Sequence, residues 1–208
     1  MAVLAPQPPP DTPAAGTTAD RADRTAELFS DLAGLPLGMA VFVAIGAETA
    51  GSVPAGVGWG LLVAALALVI PGAVTRRLRH GSASVPRGHR LGYMLIMLAA
   101  ASGAMAVSAL GAPPEVPAVA GALVAGIVVG IVVNLRWRVS NHTAGTTMAA
   151  VMMLAVFGWP AAPLAAIPVA MSWARVRLGK HTIGETVSGI GLGGVIAAVA
   201  FPSLVAAL

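Results

Sequence analysis

Three side chains suited to phosphoryl transfer lie close together within residues 172–189. Arg175 is followed after five residues by His181, and His181 after three residues by Glu185. A histidine and a glutamate four residues apart share one helix face, where the carboxylate can hold one ring nitrogen while the other attacks or transfers a proton. Arg175, just before Gly179, could bind a phosphate through two hydrogen bonds. The alternative is a polar loop with an arginine reaching the membrane surface and an exposed histidine.

A second polar cluster occupies residues 136–143, with the sequence Arg-Trp-Arg-Val-Ser-Asn-His-Thr. Ser140 and the backbone N–H groups at a helix start can bind an anion, with Arg138 nearby. His142 can protonate a leaving alkoxide. The alternative is a helix cap, in which Ser140 or Asn141 caps the following helix and His142 lies at the membrane interface.

A third cluster, at residues 85–90, is basic and precedes another apolar run. Arg87, His89 and Arg90 lie within it. Taken alone, this cluster is better explained as a juxtamembrane loop attracted to anionic lipid than as part of a site.

Together the three clusters resemble the motifs of the type 2 phosphatidic acid phosphatase superfamily of integral-membrane lipid phosphatases. The family's third motif, Ser-Arg-x5-His-x3-Asp, is matched over residues 174–185, with Ala for Ser and Glu for Asp. Its second motif, Pro-Ser-Gly-His, is matched over residues 139–142, with Val for Pro and Asn for Gly. Of the first motif, Lys-x6-Arg-Pro, only Arg87 and Arg90 remain. The resemblance extends over residues 70–205.

The resemblance implies a phosphohydrolase that uses no metal ion and no other cofactor. His181 would attack phosphorus to form a phosphohistidine, Glu185 would orient His181, and His142 would protonate the leaving oxygen and then activate water. The implied phosphate-binding residues are four arginines and one serine, namely Arg87, Arg90, Arg138, Arg175 and Ser140. Clustered cations suit such a reaction because its transition state spreads negative charge over the equatorial phosphate oxygens.

The composition indicates that membrane helices carry these groups. The chain has 208 residues, of which 57% are hydrophobic and 10% charged, whereas soluble domains contain about 25% charged residues. An all-α, polytopic membrane protein is therefore predicted. No cysteine is present, which excludes disulfides and thiolate metal sites. The net charge of +4 does not indicate a nucleic-acid-binding protein, because apolar segments separate the charges.

The chain divides into three parts. Residues 1–18 are rich in proline and predict a disordered tail. Residues 19–35 predict a short amphipathic helix at the membrane surface. Residues 36–208 form the predicted membrane phosphatase-like domain. Its apolar runs approach the length of about 20 residues that a bilayer requires, which predicts six or seven transmembrane helices. The runs are 36–53, 57–75, 91–111, 116–135, 143–159, 161–174 and 186–207.

The positive charges predict how these helices are oriented. With seven crossings, all 12 lysine and arginine residues fall on one side of the membrane. The positive-inside rule makes that side the cytoplasm, with the N-terminus inside and the C-terminus outside. An integral protein of the plasma membrane with a cytoplasmic site is expected.

A stripe of residues spaced by four begins at His181 and continues through Glu185, Gly189 and Gly193. Two glycines at this spacing allow close helix approach. We expect the last helix to pack tightly beneath the site, although glycine is also generally common in membrane helices.

The expected function is hydrolysis of a lipid phosphate or diphosphate, of isoprenoid or phosphatidyl type. The expected partners are this substrate and membrane lipids, without nucleic acid; a homo-oligomer is left open. The alternative is a non-catalytic membrane protein that binds or translocates anionic lipid through the same basic pocket.

Overall fold

The computed structural model describes residues 18–32, 34–78 and 87–208, and the predicted tail lies outside these ranges except for Thr18. Side chains are described at 20–30, 34–77 and 91–208. The secondary structure in these ranges is helical, without strands, so the all-α prediction is confirmed. The α-helices are α1 (Thr18–Leu32), α2 (Leu35–Thr49), α3 (Val53–Ala64), α4 (Ile70–Leu78), α5 (Arg87–Ser108), α6 (Glu115–Asn134), α7 (Asn141–Phe157), α8 (Ala166–Arg177) and α9 (Ile183–Ala207).

Two shorter helical segments modify this pattern. A π-helical segment, Ala65–Val69, joins α3 to α4 just before Pro71, which has no N–H to donate to the preceding turn. A 3₁₀ segment, Trp159–Ala165, follows Gly158 and leads into α8. Two prolines in this short segment favour the break, because proline cannot donate the hydrogen bonds of an α-helix.

Four helices are long and apolar enough to cross a membrane: Val53–Arg77, Leu91–Ser108, Glu115–Asn134 and Ile183–Ala207. The count is five if α1 and α2, which meet at a bend of 43°, form one broken span. The predicted membrane character is thus supported by four or five candidate spans, whereas the predicted number of six or seven is not confirmed. The difference comes from α2, α7 and α8, which contain 15, 17 and 12 residues.

The helices are arranged so that the basic segments gather at one end of the bundle. Thr75 near the end of α4, Tyr93 near the start of α5, Gly130 near the end of α6 and Asn141 at the start of α7 line one pocket. The loop from α6 to α7 also contacts the start of α9. The arginines in the last turns of α4 and α8 and those that follow α6 therefore share this end, which is called the basic end below.

Within the segment 19–35, for which an amphipathic surface helix is predicted, the structure contains α1 (Thr18–Leu32), which packs against α8; its place at a membrane surface stays a prediction. Ala26 and Ser30, one turn apart, are buried with exposed fractions of 0% and 3%. Leu28, on another face, is 63% exposed. A small and partly polar face of α1 thus covers α8, while a large apolar side chain points away from the protein.

Candidate functional site

A tight turn between α8 and α9 brings the backbone of His181 next to that of Arg175. Gly179 adopts a φ of 62°, a conformation that favours glycine, and its N–H donates to the Val176 carbonyl at 3.0 Å. The N–H of Lys180 donates to the Arg175 carbonyl at 3.0 Å, which completes the pattern of a Schellman motif. The same carbonyl accepts from the N–H of His181 at 3.2 Å. The five-residue spacing is therefore a closed turn that ties the backbone of His181 to that of Arg175.

The predicted pairing of His181 with Glu185 is present in the structure. Nδ1 of His181 lies 2.7 Å from Oε2 of Glu185, and their side chains are only 15% and 14% exposed. With the carboxylate as acceptor, Nδ1 carries the proton and Nε2 is the nitrogen that remains for attack on phosphorus.

Glu185 is itself fixed by a capping box at the start of α9. The Thr182 hydroxyl accepts from the Glu185 N–H at 3.3 Å, and the Glu185 carboxylate accepts from the Thr182 N–H at 3.3 Å. This second role was missed by the interpretation of the sequence, although Thr-x-x-Glu is a known signal of a helix start. The carboxylate that orients His181 is thus held by the helix terminus.

The surroundings of His181 favour its neutral form. Burial, the largest effect, lowers the pKa of His181 below its ordinary value of 6.5, because an imidazolium loses solvation there. The hydrogen bond to Glu185 opposes this shift, and the positive charge of Arg175 lowers the pKa further. A neutral imidazole at pH 7 is the state that a nucleophile requires.

The second cluster, residues 136–143, meets the first, residues 172–189, at Glu185. Nε of Arg138 lies 3.6 Å from Oε1 of Glu185, and the Arg138 side chain is 61% exposed. The N–H of Ser140 donates to the Glu185 carbonyl at 3.1 Å. Two segments separated by more than 40 positions in the sequence are therefore joined at one residue.

The expected close packing of α9 is confirmed, and its partner is α7. A Cβ atom on Gly189 would lie 2.8 Å from the Ser140 carbonyl oxygen, and one on Gly193 would overlap the Ala144 carbonyl. Because residue numbers rise together along both helices, α7 and α9 run parallel and start side by side.

The two predicted site residues of the α7 segment differ in their surroundings. Ser140 is fully buried and caps α7, with its Oγ accepting from the Thr143 N–H at 3.4 Å and from the Thr143 hydroxyl at 3.0 Å. These are the contacts of a helix cap, and a role for Ser140 in phosphate binding stays a prediction. His142 is exposed in the first turn of α7, at the basic end.

Asn134 holds the loop that carries Arg138, and its role was also missed. Its side-chain amide donates to the Gly130 carbonyl at 2.7 Å and to Asn141 Oδ1 at 3.3 Å. Its Oδ1 accepts from the Val139 N–H at 3.1 Å. One asparagine thus connects the end of α6 with the start of α7.

Arg175 and Arg177 both contact α1. Nη1 of Arg175 donates to Ser30 Oγ at 3.1 Å. Nε of Arg177 lies 2.8 Å from Asp23 Oδ1. Neither Ser30 nor Asp23 was predicted, because no local pattern links them to residues some 150 positions later.

Arg87 and Arg90, the remaining predicted site residues, lie in the first turn of α5, and their side chains are outside the described part of the structure. Their role stays a prediction. Among the described residues, no group of three or more His, Asp or Glu side chains could hold a metal ion.

Two pockets border this region. A mainly apolar groove of about 540 Å³ lies between α8 and α9, and residues next to the site in sequence line it, including Arg177, Ile183 and Thr186. The pocket that contains Thr75 and Asn141, of about 320 Å³, lies on the other side of α9. His181 and Arg175 line neither of these two pockets, and the candidate site lies beside the groove at the basic end.

No protein-family model matches the chain, and no curated protein or solved structure is significantly similar to it.

Proposed function

We propose that the protein is a membrane phosphohydrolase that cleaves a lipid phosphate or diphosphate. The observation that supports this most is the His181–Glu185 pair, with its 2.7 Å hydrogen bond, directly after a turn that ties His181 to Arg175. A largely buried histidine that is kept neutral, oriented by a carboxylate and close to a guanidinium has the requirements of a nucleophile for phosphorus.

In the proposed reaction Nε2 of His181 attacks phosphorus. The N–P bond forms as the bond from phosphorus to the leaving oxygen breaks, and His142 gives that oxygen a proton. Water, activated by His142, then cleaves the phosphohistidine and releases phosphate. Arg175 and Arg138, together with Arg87 and Arg90, neutralise the charge of the phosphoryl group, so the chain's own cations supply the electrostatic stabilisation.

A lipid substrate is supported by the position of the site at the ends of apolar helices. The adjoining groove between α8 and α9 is lined by exposed apolar side chains, including Val169, Trp173 and Val187, which are 63%, 46% and 58% exposed. A phosphate on a long hydrocarbon chain can reach such a site from within a membrane and pack its chain against the apolar lining. A soluble phosphate ester has no such chain to bury there.

We further propose seven membrane crossings with the basic end in the cytoplasm. The segment Trp159–Arg177 joins the 3₁₀ turn to α8 over 19 residues, and α7 has 17 residues, both near the length of about 20 that a bilayer requires. Since α7 starts and α8 ends at the basic end, this pair leaves and returns. With α2 as a short first crossing, the chain passes seven times and its positive charges lie inside.

Phosphate release by the purified protein tests the enzymatic proposal. In detergent, with chelator in excess, the protein should release phosphate from a panel of lipid monophosphates and diphosphates. His181→Ala should lower the rate at least about 10³-fold, whereas Glu48→Gln, a change to an exposed residue of α2, should not. Absence of turnover on every lipid, or full activity of His181→Ala, would leave the binding or translocation of anionic lipid as the better explanation.

Thiol labelling tests the orientation, because the chain contains no cysteine of its own. Trp137, 61% exposed, lies at the basic end, and Leu110, 84% exposed, lies in the α5–α6 loop at the opposite end. In intact cells a membrane-impermeant reagent should label Leu110→Cys and not Trp137→Cys. The reverse pattern would place the site outside the cytoplasm.

A further inference from the structure

The contact between α1 and α8 involves the arginine that we assign to phosphate. Ser30 is 3% exposed and accepts a hydrogen bond at 3.1 Å from Nη1 of Arg175, a residue 145 positions later. Ala26, one turn earlier on α1, is fully buried. A buried hydroxyl and a tightly packed alanine therefore fix this face of α1 beside the Arg175 side chain.

The contacts of Asp23 and Ser30 with the two arginines of α8 differ in chemical type. The carboxylate of Asp23 lies 2.8 Å from Nε of Arg177, whereas the side chain of Ser30, which contacts Arg175, is a neutral hydroxyl. A carboxylate would oppose the binding of an anion by neutralising the guanidinium. A hydroxyl accepts one of the five guanidinium hydrogens and leaves the charge unchanged.

Fixing Arg175 in this way also has an entropic benefit. A free arginine side chain must lose much of its rotamer freedom when it binds a ligand. A hydrogen bond that already orders the guanidinium in the unliganded protein reduces that loss and thereby strengthens binding.

We propose that α1 completes the phosphate-binding site and that Ser30 is a positioning residue for Arg175. This inference rests on the proposed function in one respect, the assignment of Arg175 to the phosphate of the substrate. The amphipathic helix α1, which lies outside the three motifs, thus contributes to substrate affinity.

The test compares Ser30→Ala with Thr25→Ala in the full-length protein. Thr25 is exposed on α1, and its hydroxyl donates to the Arg21 carbonyl, so both variants remove one hydroxyl from the same helix. Ser30→Ala should raise KM for the best lipid phosphate by roughly tenfold, because a hydrogen bond to a charged group is lost, with a much smaller change in kcat. Thr25→Ala should leave both constants unchanged.

Binding of decylphosphonic acid, an alkyl phosphonate that cannot be hydrolysed, gives a second measurement. Ser30→Ala should weaken its affinity by the same factor, measured by titration calorimetry. In an Arg175→Ala background, the additional Ser30→Ala change should cause no further loss.

Three outcomes would overturn the inference. A fall in kcat with unchanged KM would mean that Ser30 only maintains the folded fraction. A rise in activity of Ser30→Ala would mean that α1 withholds Arg175. If the wild type is active and Ser30→Ala and Thr25→Ala have equal KM and kcat, the role of Ser30 is refuted while the proposed function stands. A wild type that neither releases phosphate nor binds the phosphonate would refute the proposed function as well.

Discussion

Two pairs of helices, α2–α3 and α7–α9, pack with their backbones in close approach, and only α7–α9 carries side chains of the candidate site. In α2–α3 a Cβ atom on Gly60 would lie 2.6 Å from the Phe42 carbonyl oxygen. In α7–α9 a Cβ atom on Gly189 would lie 2.8 Å from the Ser140 carbonyl oxygen. Both pairs therefore use glycine to remove the side-chain bulk between two helices.

The pairs differ in direction, and this decides what their ends can do. Gly46 meets Gly56, and Phe42 meets Gly60, so α2 and α3 run antiparallel and are joined by a short turn. The α7–α9 pair is parallel, which places two helix starts side by side. Partial positive charge gathers at those starts, together with His142, Glu185 and the adjacent His181. Close packing in α2–α3 stabilises the fold, whereas in α7–α9 it also sets the geometry of the candidate site.

The largest expected effect comes from placing a methyl group in each contact. Gly189→Ala should lower kcat/KM by roughly 10²-fold, because displacing α7 from α9 by about 1 Å misaligns the reacting groups. Gly56→Ala in α2–α3 should reduce the free energy of unfolding by about 2 kcal/mol and leave kcat/KM per folded molecule nearly unchanged. Gly191→Ala is the control, since nothing lies within 4 Å of a Cβ there. Active-site titration alongside thermal unfolding separates these effects, and equal losses of activity in both pairs would contradict the distinction.

The same contrast explains what the sequence could predict. The apolar runs predicted the helices, and the spacing of Arg175, His181 and Glu185 predicted the local pairing, because both depend on residues a few positions apart. The length of α8 was not predicted. The prolines after Gly158 indicate a break in the helix, but they do not specify its geometry, which here is a 3₁₀ segment that leaves α8 short. The contacts between Ser30 and Arg175, and between Ser140 and Glu185, join distant segments, and no local pattern specifies them.

A smaller effect is expected from neutralising one glutamate in each of the two helix pairs, α7–α9 and α2–α3. Glu185→Gln should lower the plateau of kcat/KM about tenfold, equivalent to about 1.4 kcal/mol. Glu48→Gln, which changes an exposed glutamate of α2, should have no effect.

The pH dependence of kcat/KM tests the direction in which Glu185 shifts the pKa of His181. The neutral form of His181 attacks, so kcat/KM should rise with pH and level off above the pKa of His181, which burial places below 6.5. Glu185 raises this pKa through its hydrogen bond and its charge. Glu185→Gln should therefore move the acidic limb of the profile to still lower pH. A shift to higher pH would contradict the assignment of His181 as the group that must lose its proton.

The smallest effect is expected from a change at Asp23. This change tests whether contacts outside α7–α9 position the site as firmly as those between α7 and α9. The Asp23–Arg177 ion pair joins α1 to α8, but its side chains are 53% and 35% exposed, so water and salt weaken it. Asp23→Asn should change kcat/KM by about twofold or less, and the difference from wild type should disappear in high salt. Ser30→Ala, which removes a buried contact of the same helix, should keep its effect in high salt. A loss at Asp23 as large as that at Ser30 would mean that the charge of α1, rather than its buried hydroxyl, supports the site.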